Sequence, residues 1–116
     1  MGSLRTKETD EKYKKHIAEG KLNDGCNLCK APSIIEFESL RIIDNSFPYD
    51  KIATTHHMVI SKAHKNEESL SDTEKAELTK LKKGYLNENY EWLFEPLPKK
   101  KSIPEHFHLH LIVGKD

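Results

Sequence analysis

Three histidines near the C-terminal end of the sequence are spaced for shared chemistry. His106, His108 and His110 alternate with apolar residues in the segment 106–113. This alternation is typical of a half-buried β-strand, on which the imidazoles point to one face about 6–7 Å apart and the apolar side chains point into a core. Neutral imidazoles so arranged can ligate a metal, attack phosphorus, transfer protons or donate hydrogen bonds to a phosphate. We therefore expect this strand to form a functional surface.

Two cysteines, Cys26 and Cys29, add a C-x-x-C pair. In a reducing compartment such a pair is either a redox site or half of a metal site. A redox pair normally opens a helix after a strand, whereas this pair lies in a loop of turn-forming Gly, Asn and Asp residues. Two thiolates need two further ligands, and imidazoles complete a tetrahedral zinc site. Histidines at positions 56, 57 and 64 and in the 106–110 segment are candidates, so we expect zinc.

Five segments near these residues have the apolar pattern of β-strands. They are residues 33–37 and 40–44, which form a hairpin, residues 57–61, residues 90–94 and the histidine segment. The turn after the hairpin contains Phe47 and Tyr49, two aromatic side chains that could wall a binding site. Along the third strand His57 faces away from His56, so we expect His57 to be structural or exposed.

Two further segments predict helices. Residues 10–19 form a charged helix that ends at a glycine, and His16 within it is expected to be solvated. Residues 71–87 form a longer helix that opens with a capping box, Ser-Asp-Thr-Glu. Gly84 lowers the helix propensity of that segment but need not end it. The loop of residues 95–102 then leads back to the histidine strand.

Length and composition limit the class of protein. The 116 residues suffice for one domain, and we expect a charged N-terminal segment at residues 1–22 followed by one domain at residues 23–116. The 19 basic and 19 acidic residues cancel, so net charge gives no reason to expect nucleic-acid or membrane binding. No apolar run approaches the ~20 residues of a membrane span, and no signal-peptide core is visible. We therefore expect a cytoplasmic protein with reduced thiols.

The histidine segment resembles the motif of the histidine-triad (HIT) family, in which three histidines alternate with apolar residues. Residues 106–112 read His-Phe-His-Leu-His-Leu-Ile. Residues 56–64 resemble the family's other landmark, a histidine followed by an apolar strand, a lysine and a second histidine. With the C-x-x-C pair, the resemblance runs from about Cys26 to Val113, roughly three quarters of the chain. It implies an α+β fold with an antiparallel sheet of about five strands, one long helix and a short N-terminal helix, usually paired as a homodimer.

The resemblance also implies a function. Histidine-triad proteins are nucleotide hydrolases and nucleotidyl transferases that act at the α-phosphate, which implies a nucleotide or dinucleoside polyphosphate substrate and a covalent nucleotidyl-histidine intermediate. Carried over to this sequence, the nucleophile is His108, His110 contacts the phosphate or leaving group, and His56 belongs to the surrounding hydrogen-bond network. The zinc-bearing members of the family imply a metal site whose ligands are Cys26, Cys29, His64 and His106.

One segment departs from the family pattern. In members of the family, a glycine-rich loop with Gln and Ser or Thr usually precedes the triad and holds the phosphate. Residues 97–105 contain neither Gly nor Gln, so we expect phosphate binding to be weak or to use Ser102 and the lysine run that ends at Lys101. Phe47 and Tyr49 are expected to line the base or ribose pocket.

Two other functions stay open. A nucleotide-binding or sensing protein would keep the triad but lose turnover together with the Gly-Gln loop. A nucleic-acid end-processing enzyme is indicated only by the lysine run, and the neutral net charge argues against it. A cupin-like metal site is excluded, because it would need a carboxylate and another histidine well beyond His110, where six residues remain.

Overall fold

Five antiparallel strands form the sheet that carries His56, His57, His108 and His110. The computed structural model describes residues 4–20, 26–100 and 103–116. Its strands are β1 (Ser33–Glu36), β2 (Leu40–Asp44), β3 (Ala53–Ser61), β4 (Trp92–Phe94) and β5 (His108–Gly114). Their order across the sheet is β1-β2-β3-β5-β4, and each neighbouring pair is antiparallel. The expected α+β class with five antiparallel strands is confirmed, and β3 and β5, which carry histidines, are neighbours.

The described part of the chain contains four α-helices. They are α1 (Lys7–Ala18), α2 (Asn27–Lys30), α3 (Asp72–Lys83) and α4 (Tyr85–Asn89). Single turns of 3₁₀-helix lie at Glu67–Ser69 and Pro98–Lys100. Within the described ranges, no helix has both the length and the apolar character needed to cross a bilayer.

Two helix predictions need correction. The predicted capping box is present, since the Ser71 hydroxyl accepts from the Glu74 N–H at 3.1 Å and the Glu74 carboxylate accepts from the Ser71 N–H at 2.8 Å. The single helix expected to follow it is wrong at Gly84, whose φ of −112° and ψ of −103° separate α3 from α4. Glycine leaves the helical conformation at the lowest cost because it lacks a β-carbon. The loop expected around Cys26 and Cys29 instead contains the single helical turn α2.

The two faces of the sheet carry different side chains. One face joins a large apolar cluster: Leu40, Ile42, Val59, Leu70, Leu81, Leu86, Phe107, Leu109 and Leu111. The other face joins a smaller cluster: Leu28, Ile43, Met58 and Ile60. His108 and His110 lie with this second face, beside Ile43 and Met58. The predicted alternation along β5 is therefore confirmed, and it directs these two imidazoles away from the main core.

His106 does not share that strand. β5 begins at His108, so His106 lies in the turn before it, where its N–H donates to the Ile103 carbonyl at 3.5 Å. The Phe107 N–H donates to the Lys65 carbonyl at 2.7 Å, a contact outside the sheet ladder. Pro104 has no N–H with which to extend the ladder. The predicted strand therefore begins two residues too early at His106, whose ring contacts the C-x-x-C segment on the side of the smaller cluster.

Candidate active site and metal centre

Two sulfur atoms and two imidazole nitrogens converge beside the start of β5. Nδ1 of His106 lies 3.4 Å from Sγ of Cys26 and 3.3 Å from Sγ of Cys29. Nδ1 of His64 lies 3.3 Å from Sγ of Cys29. All four ligand atoms lie within 4.8 Å of one another. Two thiols and two imidazoles in this arrangement could hold one metal ion, and they are the four residues that the family resemblance implies as ligands.

His106 is oriented as a ligand by its other ring nitrogen. Its Nε2 lies 2.7 Å from the Ser61 carbonyl oxygen, which can only accept, so Nε2 carries the proton. The lone pair of Nδ1 is then directed at the two sulfur atoms, and this is the tautomer that metal ligation requires. The side chain is 1% exposed. Burial lowers the pKa of His106, which keeps the imidazole neutral.

A buried arginine supports the turn that carries both cysteines. Arg41 on β2 donates to the carbonyl oxygens of Leu28 at 2.6 Å and Ala31 at 2.5 Å, and to Oγ of Ser33 at 3.0 Å. Carbonyls at the end of a helical turn lack partners within the helix, and a buried guanidinium needs such acceptors. Arg41 therefore positions α2, a role that its place in an apolar strand did not indicate.

His56 and His110 form a buried pair on neighbouring strands. Nε2 of His56 lies 2.7 Å from Nδ1 of His110, and the side chains are 3% and 5% exposed. The backbone N–H of Tyr49 donates to Nδ1 of His56 at 2.9 Å. Because an amide N–H can only donate, the proton of neutral His56 is on Nε2 and is donated to His110. Nδ1 of His110 is then an acceptor, and its own proton is on Nε2.

His108 has the opposite tautomer. Its Nδ1 lies 2.9 Å from the His106 carbonyl oxygen, so Nδ1 carries the proton and Nε2 carries the lone pair. The ring centroids of His108 and His110 are 5.5 Å apart. Two neighbouring imidazoles thus present one acceptor nitrogen and one donor nitrogen.

The buried His56–His110 pair predicts that acid destabilises the fold. Burial is the main cause that lowers the pKa of His56 to about 4 and that of His110 to about 3; the charge of Arg5 comes next for His56, and the neighbouring histidines come next for His110. Because an unfolded histidine has a pKa of about 6.5, the unfolded chain binds protons between pH 6.5 and about 4 that the native protein does not bind. Stability is therefore complete above pH 6.5 and falls as the pH falls. We expect the free energy of unfolding, measured by urea denaturation, to decrease by about 3–4 kcal/mol between pH 7 and pH 5.

The His110→Asn variant tests whether this pair, rather than another titrating group, causes the loss of stability at low pH. It removes one of the two depressed pKa values, so the decrease between pH 7 and pH 5 should shrink by about 1–2 kcal/mol. If the free energy of unfolding depended on pH equally in the variant and the wild-type protein, this result would contradict a buried, neutral His110.

A cavity of about 480 Å³ opens in front of His108 and His110. Phe47 and Tyr49, the two aromatic residues predicted to bind substrate, both line it. The ring of Tyr49 stacks on His110 with centroids 5.1 Å apart and an interplanar angle of 24°. Lys101 and Ser102, the other residues predicted to bind substrate, lie outside the described residues.

The cavity has a further wall that the sequence did not indicate. Arg5, Tyr13 and His16 come from the N-terminal segment and line the cavity. His16, which was expected to be solvated, packs its ring against Phe47 with centroids 4.9 Å apart. A charged helical segment has no local pattern that predicts such a role. The contact between Arg5 and Phe47, for example, joins residues 42 positions apart.

The metal centre and the histidine pair meet at one residue. The ring of His106 faces the cysteines, and its carbonyl oxygen accepts from His108. His57, as expected, belongs to neither group of residues, since its Nδ1 lies 2.6 Å from the Tyr90 hydroxyl. A lone pair and a donor beside a cavity can perform nucleophilic attack and stabilise a departing group.

In comparisons with known proteins, the chain has no significant match to a protein-family model or to a curated protein.

Proposed function

We propose that this protein is a nucleotide hydrolase or nucleotidyl transferase of the histidine-triad type, in which His108 attacks the α-phosphate. The observation that carries the proposal is the opposite tautomer of two neighbouring imidazoles. His108 has its lone pair on Nε2 because Nδ1 donates to the His106 carbonyl. His110 has its proton on Nε2 because Nδ1 accepts from His56. A nucleophile and a hydrogen-bond donor side by side are what displacement at a phosphate ester requires.

The proposed reaction consists of two displacements at one phosphorus atom. In the first, the Nε2 lone pair of His108 forms a P–N bond, and the bond from phosphorus to the leaving group breaks with its electron pair on that group. The Nε2–H of His110 donates a hydrogen bond to the departing group. In the second, water or an acceptor hydroxyl attacks the phosphorus, its proton passes to solvent, and the P–N electron pair returns to His108. The covalent intermediate splits one difficult step into two easier ones.

The cavity supports a nucleotide as the substrate. Its volume of about 480 Å³ lies within the range of about 300–1,000 Å³ that is typical of small-molecule sites. Apolar and aromatic side chains such as Leu28, Ile43 and Phe47 suit a base and ribose, and the cations Arg5 and Lys30 suit phosphate groups. This mixed lining favours a nucleotide or dinucleoside polyphosphate.

We further propose that the metal centre binds zinc. Zinc with two Cys and two His ligands is tetrahedral, with bonds of about 2.3 Å to sulfur and about 2.0–2.1 Å to nitrogen, which separate the two kinds of ligand atom by about 3.5 Å. Three of the four sulfur–nitrogen separations in the structure are 3.3–3.4 Å. Four protein ligands leave no open position, so the ion has a structural role. It would hold His106, whose carbonyl oxygen orients His108.

A trapped-intermediate experiment tests the proposed function. The protein is mixed with a panel of nucleoside phosphoramidates and dinucleoside polyphosphates and quenched in base, because P–N bonds are labile in acid. After digestion, we expect mass spectrometry to find one nucleotidyl group on His108. Product formation without an adduct on His108 would overturn its assignment as the nucleophile. Nucleotide binding with neither product nor adduct would favour the binding or sensing alternative.

A further inference from the structure

The N-terminal helix is attached to the loop that forms one side of the cavity. The Asp50 carboxylate accepts from the Thr6 N–H at 2.7 Å, from the Thr6 hydroxyl at 3.1 Å and from the Thr9 hydroxyl. These hydrogen bonds lower the pKa of Asp50, and a carboxylate at the N-terminal end of a helix is also stabilised by the helix dipole. The Lys51 N–H donates to the Leu4 carbonyl at 3.1 Å. α1 therefore begins at a defined position against the cavity.

Arg5 lies where this helix meets the cavity. Its Nε donates to the Phe47 carbonyl at 2.8 Å. Its guanidinium carbon lies 4.1 Å from the ring centre of Tyr13 and 4.9 Å from that of Tyr49. The ring of Tyr49 in turn stacks on His110 at 5.1 Å. The distance from the guanidinium to the His110 ring cannot exceed the sum of the distances from each of them to the Tyr49 ring. It is therefore at most about 10 Å.

The charges around the cavity favour an anion. Among the described residues that line it, Arg5 and Lys30 are cationic and Asp44 is the one carboxylate, with a side chain 79% exposed. The charge of Arg5 is second to burial in lowering the pKa of His56 and makes the smallest contribution to that of His110, so its field reaches the histidine pair. A phosphate group that departs beside His110 would enter the same positive field.

We propose that Arg5 binds phosphate groups beyond the α-phosphate and thereby selects substrates whose leaving group is itself a phosphate. The substrate class is then a nucleoside polyphosphate or dinucleoside polyphosphate rather than a phosphoramidate with an uncharged leaving group. A guanidinium offers five N–H donors in one plane, so it can hold the Phe47 carbonyl and a phosphate oxygen together. This inference rests on the proposed function, which puts the α-phosphate beside His108.

Equilibrium binding tests the assignment without requiring turnover. Calorimetric titrations in the absence of divalent cations compare AMP with α,β-methylene-ATP, whose bond from the α-phosphorus to the leaving group cannot be cleaved by the proposed reaction, and GMP with α,β-methylene-GTP. We expect the wild-type protein to bind the triphosphate about 10–100-fold more tightly than the monophosphate, the contribution of a charge-assisted hydrogen bond. In Arg5→Gln this ratio should fall to about 1–3 while the monophosphate affinity stays within about threefold of wild type. Arg5→Lys keeps the charge without the planar fork, so its ratio should be intermediate.

Lys7→Gln is the matched control, because Lys7 is exposed on the same helix, and it should keep the wild-type ratio. An unchanged ratio in Arg5→Gln would overturn the phosphate contact. An equal loss of affinity for monophosphate and triphosphate would also overturn it, since Arg5 would then only hold α1 in place. A wild-type protein that binds none of the four nucleotides would instead overturn the proposed function, and this inference with it.

Discussion

The His108→Ala variant is expected to lose turnover of the proposed nucleotide substrates while it remains folded. The substitution removes the Nε2 lone pair of His108, and His110 cannot replace it because its Nδ1 accepts from His56 and its Nε2 carries the proton. Loss of a covalent nucleophile lowers kcat by about 10³–10⁶-fold. His108 lines the cavity and is not part of the main apolar cluster, so the fold should persist. Steady-state hydrolysis of a dinucleoside polyphosphate, followed by chromatography, measures the effect.

His57→Gln is the matched control for this experiment. His57 lies on β3 next to His56, but its ring contacts the Tyr90 hydroxyl instead of the cavity. Its turnover should stay close to that of the wild-type protein, and thermal denaturation checks that both variants are folded. Wild-type turnover in a folded His108→Ala variant would contradict the nucleophilic role.

Alternating residues predicted the faces of β5 but not the roles of its histidines. The pattern was right for His108 and His110 because the sheet ladder extends through both of them. It overestimated the length of the strand at His106, because the ladder begins at His108 and the Phe107 N–H donates to the Lys65 carbonyl instead. The alternation alone treats the three imidazoles as equals, whereas their hydrogen-bond partners direct the lone pair of His106 at the cysteines and make His108 an acceptor and His110 a donor at Nε2.

Contacts between distant parts of the chain account for what could not be predicted. The sulfur–nitrogen pairs of the metal centre join residues 35 to 80 positions apart, so the ligand set was accessible through a family resemblance and not through local spacing. The helix break at Gly84 shows a similar limit. A glycine costs a helix about 1 kcal/mol, which does not decide whether the helix ends. The packing of Leu81 and Leu86 against the same apolar cluster is the tertiary contribution that propensity omits.

Loss of one cysteine ligand is expected to destabilise the protein strongly. The four candidate ligands come from three separate parts of the chain: α2 and its N-cap, the segment after β3 and the turn before β5. An ion that binds only the native state adds about 4 kcal/mol of stability when its free concentration is 1,000 times Kd. We therefore expect Cys26→Ser to lower the free energy of unfolding by about 4 kcal/mol under such conditions. Its zinc content should fall from one ion per chain to almost none, and a chelator should affect the wild-type protein in the same way.

Lys62→Gln is the control for this effect, because Lys62 is an exposed residue close to His64; its zinc content and stability should equal those of the wild-type protein. Urea denaturation and metal analysis need no substrate, so the result does not depend on turnover. Cobalt substitution adds a direct measurement, since a tetrahedral site with thiolate ligands gives strong visible absorption that Cys26→Ser should lose. Unchanged metal content and stability in Cys26→Ser would contradict the assigned site. Full turnover in a folded, metal-free protein would contradict the link through His106, because the ion is proposed to orient His108 through that carbonyl.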